Sequence, residues 1–344
     1  NLYIDASHPN ETRVVLKSDN NIEDYEYEGL KNNLIKNNIY LGKVSRIEPS
    51  LQAAFIDFGR ERHGFLSFND IQSDYYQIPK SDLELIKQEE ERAREELSKQ
   101  VEAKEEENLA EGKLEVDDPI EKQEVEEKEK KNEKRLKFKR YKIQEVIKPN
   151  QVILVQVIKD ERGQKGAALS TFISIAGKYI VLMPNTPKGG GISRKIFNPV
   201  DRKKIRAILN EIDIPKNMGL IVRTAGSGKS KNEINNDLQA TIKIWEEIKN
   251  KTVNSTAPIL INEEGDVIKR AIRDMYDNDT KYIYIEGNDA YQKAKNFMKQ
   301  LMPRNAKYIK KYRGKIPLFH SEDIERSLNK IFEPVVKLKS GGYL

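Results

Sequence analysis

IYLGKVSRIEPSLQAAFIDFGRERHGFL, residues 39 to 66, is the stretch on which the fold of this chain turns. Two runs within it alternate in polarity, Ile39 to Ile47 and Leu51 to Phe58, each the length of a β-strand. Glu48-Pro49-Ser50 interrupts them, because proline has no N–H for a ladder and fixes its own φ. Gly59 ends the second run, and His63 to Leu66 supplies a third short strand. The pattern predicts half of a small barrel. Phe55 and Phe65 fall on strands rich in small residues (Gly42, Ala53, Ala54, Gly64), with Lys43, Arg46, Arg60 and Arg62 close by in sequence. Two uses fit such rings. They can fill the barrel core, or form a platform on which unpaired bases stack while the cations neutralise phosphates.

Strand character returns at residues 151–158, QVILVQVI, followed by KDERGQKGAALSTF with a tight turn at Gly163. These complete a five-stranded barrel of the OB type, whose strands and loops commonly hold oligonucleotides. The barrel brackets a segment of different character. From Lys80 to Arg140 the chain is dominated by Glu and Lys, with Ile86, Ala93, Leu97 and Val101 at helical spacing but too sparse for a buried face. A charged helical hairpin and a partly disordered insertion both fit that composition. Its acidic residues outnumber its basic ones, so a net charge of +6 leaves the remainder distinctly basic, as suits a phosphate-backbone partner.

On the N-terminal side, Leu2 to Asp5 and Thr12 to Lys17 read as strands, followed by a polar connection to residue 35. Beyond the barrel come a strand from Tyr179 to Met183, a glycine-rich loop at residues 185–191, and a helix from Asp201 to Ile212. A strand from Gly219 to Arg223 then leads through TAGSGKS into a helix from Asn232 to Lys249. The final third alternates again. Ile259 to Ile261, Tyr282 to Glu286 and Lys307 to Tyr312 read as strands, and another begins at Val335. Gly265 to Tyr276, Asp289 to Met302 and Ser321 to Phe332 read as helices, predicting an α/β sheet that the two N-terminal strands could join.

RTAGSGKS, residues 223–230, invites a nucleotide-binding reading, but Arg223 stands where a P-loop needs its first glycine. What survives is either a structural turn or a site where Arg223, the Thr224 hydroxyl and backbone N–H groups hold one phosphate. GGGISRK, residues 189–195, is a flexible loop carrying Arg194 and Lys195. His8, His63 and His320 share no ligand spacing, and with no cysteine there is neither a disulfide nor a thiolate metal site. No window approaches the roughly 20 apolar residues of a membrane span, and the N-terminus lacks the features of a signal peptide. A cytoplasmic protein is expected.

In this order, IYLGKVSRIEPSLQAAFIDFGRERHGFL, KDERGQKGAALSTFISIAGKYIVLMPNTPKGGGISRK, NMGLIVRTAGSGKS and GKIPLF closely resemble the RNase E/G endoribonucleases. The resemblance spans nearly all of the chain outside the charged hairpin. It implies a multi-domain α+β fold, with an RNase H-like subdomain from residues 1–36 and 257–335 and an inserted S1 (OB-fold) barrel from 37–79 and 141–171. It further implies an α/β 5′-sensor subdomain from 172–256 and the start of a DNase I-like subdomain from 336–344, whereas the charged hairpin insertion at 80–140 is not part of the family's usual S1 domain.

By the same resemblance, Phe55 and Phe65 stack on RNA and Lys165 is a basic contact on the same domain. Gly177 and Val181 contact the RNA 5′ end, and Arg223 and Thr224 grip a 5′-monophosphate. The family hydrolyses single-stranded RNA, in RNA processing and decay, with Mg²⁺ held by two aspartates and an asparagine that follow the SGG strand. Zinc-binding cysteines link its protomers into homo-oligomers. Residues 1–344 stop before those aspartates and contain no cysteine, so this chain is expected to carry no catalytic or metal residues and to bind RNA without cutting it. The contrasting reading is a stand-alone RNA-binding or scaffold protein with no nuclease activity.

Overall fold

The structure is a computed structural model that describes residues 1–88, 92 and 141–343, apart from 9, 20, 30–34, 164, 187–190, 213, 216–217, 278 and 336–339. Most of the expected charged hairpin, part of the glycine-rich loop and most of the expected strand from Val335 therefore lie outside the described residues. The chain divides into two compact units, residues 1–34 with 264–344, and residues 35–263.

The first unit opens with an antiparallel meander, β1 (Leu2–Asp5), β2 (Glu11–Ser18) and β3 (Asn21–Gly29). The third strand corrects the polar connection expected there. NIEDYEYEG pairs with β2 as an edge strand, and its acidic residues mask the period-two signal because much of the strand faces solvent.

The second unit is built on β4 (Ile39–Glu48), β5 (Ala53–Asp57), β6 (Gly64–Ser67), β7 (Val152–Lys159) and β8 (Ala168–Ser170). β4 pairs with both β5 and β7, and β6 and β8 complete the circuit, so the five strands close into a barrel consistent with an S1/OB-like domain. The turn between β4 and β5 is a short 3-10 segment, Pro49–Leu51, that ends on Gln52 at φ 46°. Val44, Ala54, Ile56, Leu66, Ile153, Val155 and Leu169 fill the interior beside a helical turn, Ile143–Val146. Gly64 is needed at its place: a Cβ there would run into the buried Leu169 side chain.

The chain continues into a smaller sheet of β9 (Ile175–Ala176), β10 (Ile180–Met183), β11 (Gly191–Ile192) and β12 (Gly219–Val222), in the order β11-β12-β10-β9. Two helices, α1 (Pro199–Glu211) and α2 (Lys231–Val253), accompany it, and Ile205, Ile234, Leu238 and Ile248 join its core. Buried Gln156 ties barrel to sheet: Nε2 donates to the carbonyls of Asn37 (3.0 Å) and Ser174 (2.8 Å), and Oε1 accepts from the Ser174 N–H (2.8 Å). β13 (Ile259–Asn262) pairs antiparallel with β4, not with the sheet of the last third as its place in the alternation suggested. Alternation along a sequence tells which residues form a strand and not which sheet receives it.

Returning to the first unit, α3 (Val267–Asp274), β14 (Ile283–Glu286), α4 (Asn288–Leu301), β15 (Ile309–Lys311) and α5 (Ile324–Ile331) follow. β1 lies parallel to β14, giving a mixed sheet in the order β15-β14-β1-β2-β3. Side chains alternate across it. Leu2, Ile4, Ile283 and Ile285 pack with Ala271, Ile272, Ala294 and Met298 of α3 and α4, while Tyr3 and Val15 pack with Phe319, Ile324 and Leu328. Among the described residues no helix is long and apolar enough to cross a membrane.

Candidate nucleic-acid interface

The barrel strands decide where the two phenylalanines point. On β5 and β6 the inward residues Ala54, Ile56 and Leu66 are fully buried, so period two turns Phe55 and Phe65 to the outer face, where both are half-exposed. They are direct cross-strand partners, ring centroids 6.0 Å apart at 75°, an edge-to-face pair. A register shift in β4 places Arg46 opposite Phe55, and its guanidinium carbon lies 4.4 Å from that ring's centroid. The aromatic part of the core is instead supplied by Tyr40, Phe58 and Phe68.

Lys165 reaches the same region through a tight turn. Arg162 and Lys165 exchange backbone hydrogen bonds of 3.2 and 3.0 Å around Gly163, and the Arg62 guanidinium donates to the Gly163 carbonyl. The Phe65 N–H donates to the Ala167 carbonyl at 2.7 Å, which anchors the end of this turn beside the second ring. Lys165 itself is exposed.

A second cluster surrounds the turn between β9 and β10. The Asp237 carboxylate of α2 accepts the N–H groups of Lys178 (3.2 Å), Tyr179 (2.8 Å) and Ile180 (3.1 Å). A Cβ on Gly177 would stand 2.6 Å from Asp237 Oδ2, so this approach requires glycine. Arg223 closes the turn from the other side, its Nη1 donating to the Gly177 carbonyl at 2.9 Å and its N–H to the Tyr179 carbonyl at 2.8 Å. Thr224, exposed, opens the 3-10 turn Thr224–Gly226. Val181 is half-buried on β10 between Ala176 and Ile221. Gly177 and Arg223 thus touch directly, with Thr224 adjoining them and Val181 on the same small sheet.

Sequence reasoning missed Asp237, and a signal for it exists: Ile234, Asp237, Leu238 and Thr241 form the buried stripe of α2, where a carboxylate is out of place unless it is paired. Burial pushes its pKa up, opposed by the three N–H donors and the nearby Arg223 charge. The rest of RTAGSGKS is used locally. The Ser230 hydroxyl caps α2 in a capping box with Glu233, and Lys229 Nζ lies 5.3 Å from the Tyr179 ring centroid.

Residues 174–344 match the model of the Ribonuclease E/G family. The putative ribonuclease E of Buchnera aphidicola subsp. Baizongia pistaciae is 32% identical over 345 residues, an alignment covering 99% of this chain and 70% of that protein. The chain belongs to the ribonuclease E/G family. Ribonuclease E of Haemophilus influenzae is 36% identical and that of Escherichia coli K12 is 37% identical, each over 342 residues. Both alignments take in 99% of this chain, which spans only 30% and 27% of those two proteins.

The Mg²⁺ that the resemblance implies has no counterpart in the described residues, among which no three His, Asp or Glu side chains are grouped to hold a metal ion. The implied zinc link needs cysteines, and this sequence has none.

Proposed function

We propose that this chain is the RNA-gripping portion of an endoribonuclease that hydrolyses single-stranded RNA and prefers 5′-monophosphorylated ends, acting in RNA processing and decay. The observation that carries the proposal is the Phe55–Phe65 pair, turned out of the barrel core with Arg46 over one ring. A base stacks on such rings in place of the guanidinium, which is then free to pair with a phosphate, and Lys165 neutralises a neighbouring phosphate. At the other cluster, Arg223 offers a planar fork of donors and Thr224 a hydroxyl, a set matched to one terminal phosphate and crowded by three. In the parent protein, the aspartates that the resemblance puts after the SGG sequence would hold Mg²⁺, and that ion would supply an activated water for hydrolysis. A cytoplasmic homo-oligomer is the proposed state of that parent.

Titration of a fluorescent single-stranded RNA tests the grip. Phe55→Ala and Phe65→Ala each weaken binding by about tenfold, in line with roughly 1–3 kcal/mol per stacked base. Undiminished affinity in both variants, with the barrel still folded, overturns the proposal.

A further inference from the structure

Among the described residues, Phe197 joins none of the core clusters. It precedes the N-cap Asn198 of α1, a position whose usual role is a hydrophobic staple against the fourth helical residue. Here that residue is Arg202, whose Nη1 turns back to the carbonyls of Ser193 (3.2 Å) and Ile196 (3.3 Å). The Phe197 ring is left 82% exposed, while Ile196 beside it is 5% exposed in the core. Its backbone is nonetheless held in place, between a buried neighbour and a cap in which Asn198 Oδ1 accepts the Val200 N–H at 3.0 Å.

The position of the loop gives the ring a partner. β11 runs parallel to β12 with Ile192 opposite Val222, and the Ser193 N–H donates to the Val222 carbonyl at 2.8 Å, so the chain leaves β11 alongside Arg223 and Thr224. The start of α1 meets the following turn where Ser227 Oγ donates to Asp201 Oδ2 at 3.3 Å. Arg194, Lys195, Lys203 and Lys204, close to Phe197 in sequence, are exposed, and Asp201, the sole acidic residue from Ser193 to Arg206, is occupied by Ser227.

An exposed aromatic ring on a held backbone, with cations close by in sequence and a phosphate cradle next to its loop, matches the chemistry of an unpaired base. We infer that Phe197 stacks on a base within the first four nucleotides of the RNA whose 5′-phosphate lies at Arg223 and Thr224, an inference that rests on the 5′-sensing reading. The site thereby reads the 5′ end as a phosphate and a stacked base together, and an abasic end is a poor ligand even when phosphorylated.

The test uses the full chain and 5′-monophosphorylated RNAs carrying 2-aminopurine at each of the first four positions or near the 3′ end. In wild-type protein, 2-aminopurine emission is quenched at one of the first four positions. Phe197→Leu abolishes that quench and weakens binding about tenfold, about 1.4 kcal/mol, while Phe197→Trp retains both. Arg223→Ala is run beside them. If it removes the preference for 5′-phosphate and Phe197→Leu still binds and quenches as wild type, the stacking inference fails and 5′ sensing stands. If Arg223→Ala leaves the preference intact, 5′ sensing itself fails. A loss in Phe197→Leu that is shared equally by the 3′ probe also overturns the inference, since it marks a general contact.

Discussion

At the scale of single residues, the division of labour around Arg223 is set by its contacts. One face of the guanidinium is committed to the Gly177 carbonyl, which orients the side chain without neutralising it. A positioned guanidinium loses little conformational entropy when it takes a phosphate. Arg223→Ala is expected to weaken binding of 5′-monophosphorylated RNA by at least tenfold while changing affinity for 5′-hydroxyl RNA by less than about twofold, in line with charge-assisted hydrogen bonds of about 1.5–3 kcal/mol. Competition binding with the two RNAs checks this, and equal losses would make Arg223 a general backbone contact.

At the scale of elements, α2 is coupled to the turn that precedes β10 through Asp237. Three backbone N–H groups converge on one buried carboxylate, and removing it takes an acceptor from each of them. Asp237→Ala is expected to cost on the order of 3 kcal/mol in denaturant unfolding of this unit, from about 1–3 kcal/mol per acceptor lost. It should also erase 5′-phosphate preference, because the turn carries the Gly177 carbonyl that orients Arg223. Stability within about 0.5 kcal/mol of wild type would show that the turn is held by other contacts. The ends of most elements were readable from local chemistry: Pro49 and Gly59 bound the first barrel strands, and the Gly219 strand and the helix after TAGSGKS appear where the sequence places them. β3 was not readable, since an edge strand needs no apolar face to be paired.

At the scale of the whole molecule, each unit carries its own core, and in the first unit Arg13 of β2 pairs with the Asp5 carboxylate of β1 at 2.6 Å. Asp5 on β1 is buried, which raises its pKa, but hydrogen bonds from Ser7 and Arg13 outweigh burial and hold the carboxyl below the usual aspartate range. A carboxyl depressed in the folded state adds stability above its unfolded pKa of about 3.9, and that contribution is lost as pH falls through the folded value. Acidification below about pH 4 is therefore expected to destabilise this unit, with Asp5→Asn flattening that part of the profile. Thermal melts across pH check it; identical slopes in wild type and variant would assign the acid sensitivity to other carboxylates.

Much that identifies this protein is local and was determined by sequence alone. Strand alternation and proline and glycine breaks act over a few residues, so the barrel strands and the family motifs could be read directly, whereas the outward placement of Phe55 and Phe65 could not. Tertiary structure decided what depends on register and on contacts between distant segments. It closed β4 onto β7 across the charged insertion and gave β13 to the barrel. It set Arg46 over Phe55 through a register shift, and it brought Asp237 under a turn some 60 residues earlier in the chain. Each of these rests on which surfaces meet when the apolar faces are buried, and no short window of sequence contains both surfaces.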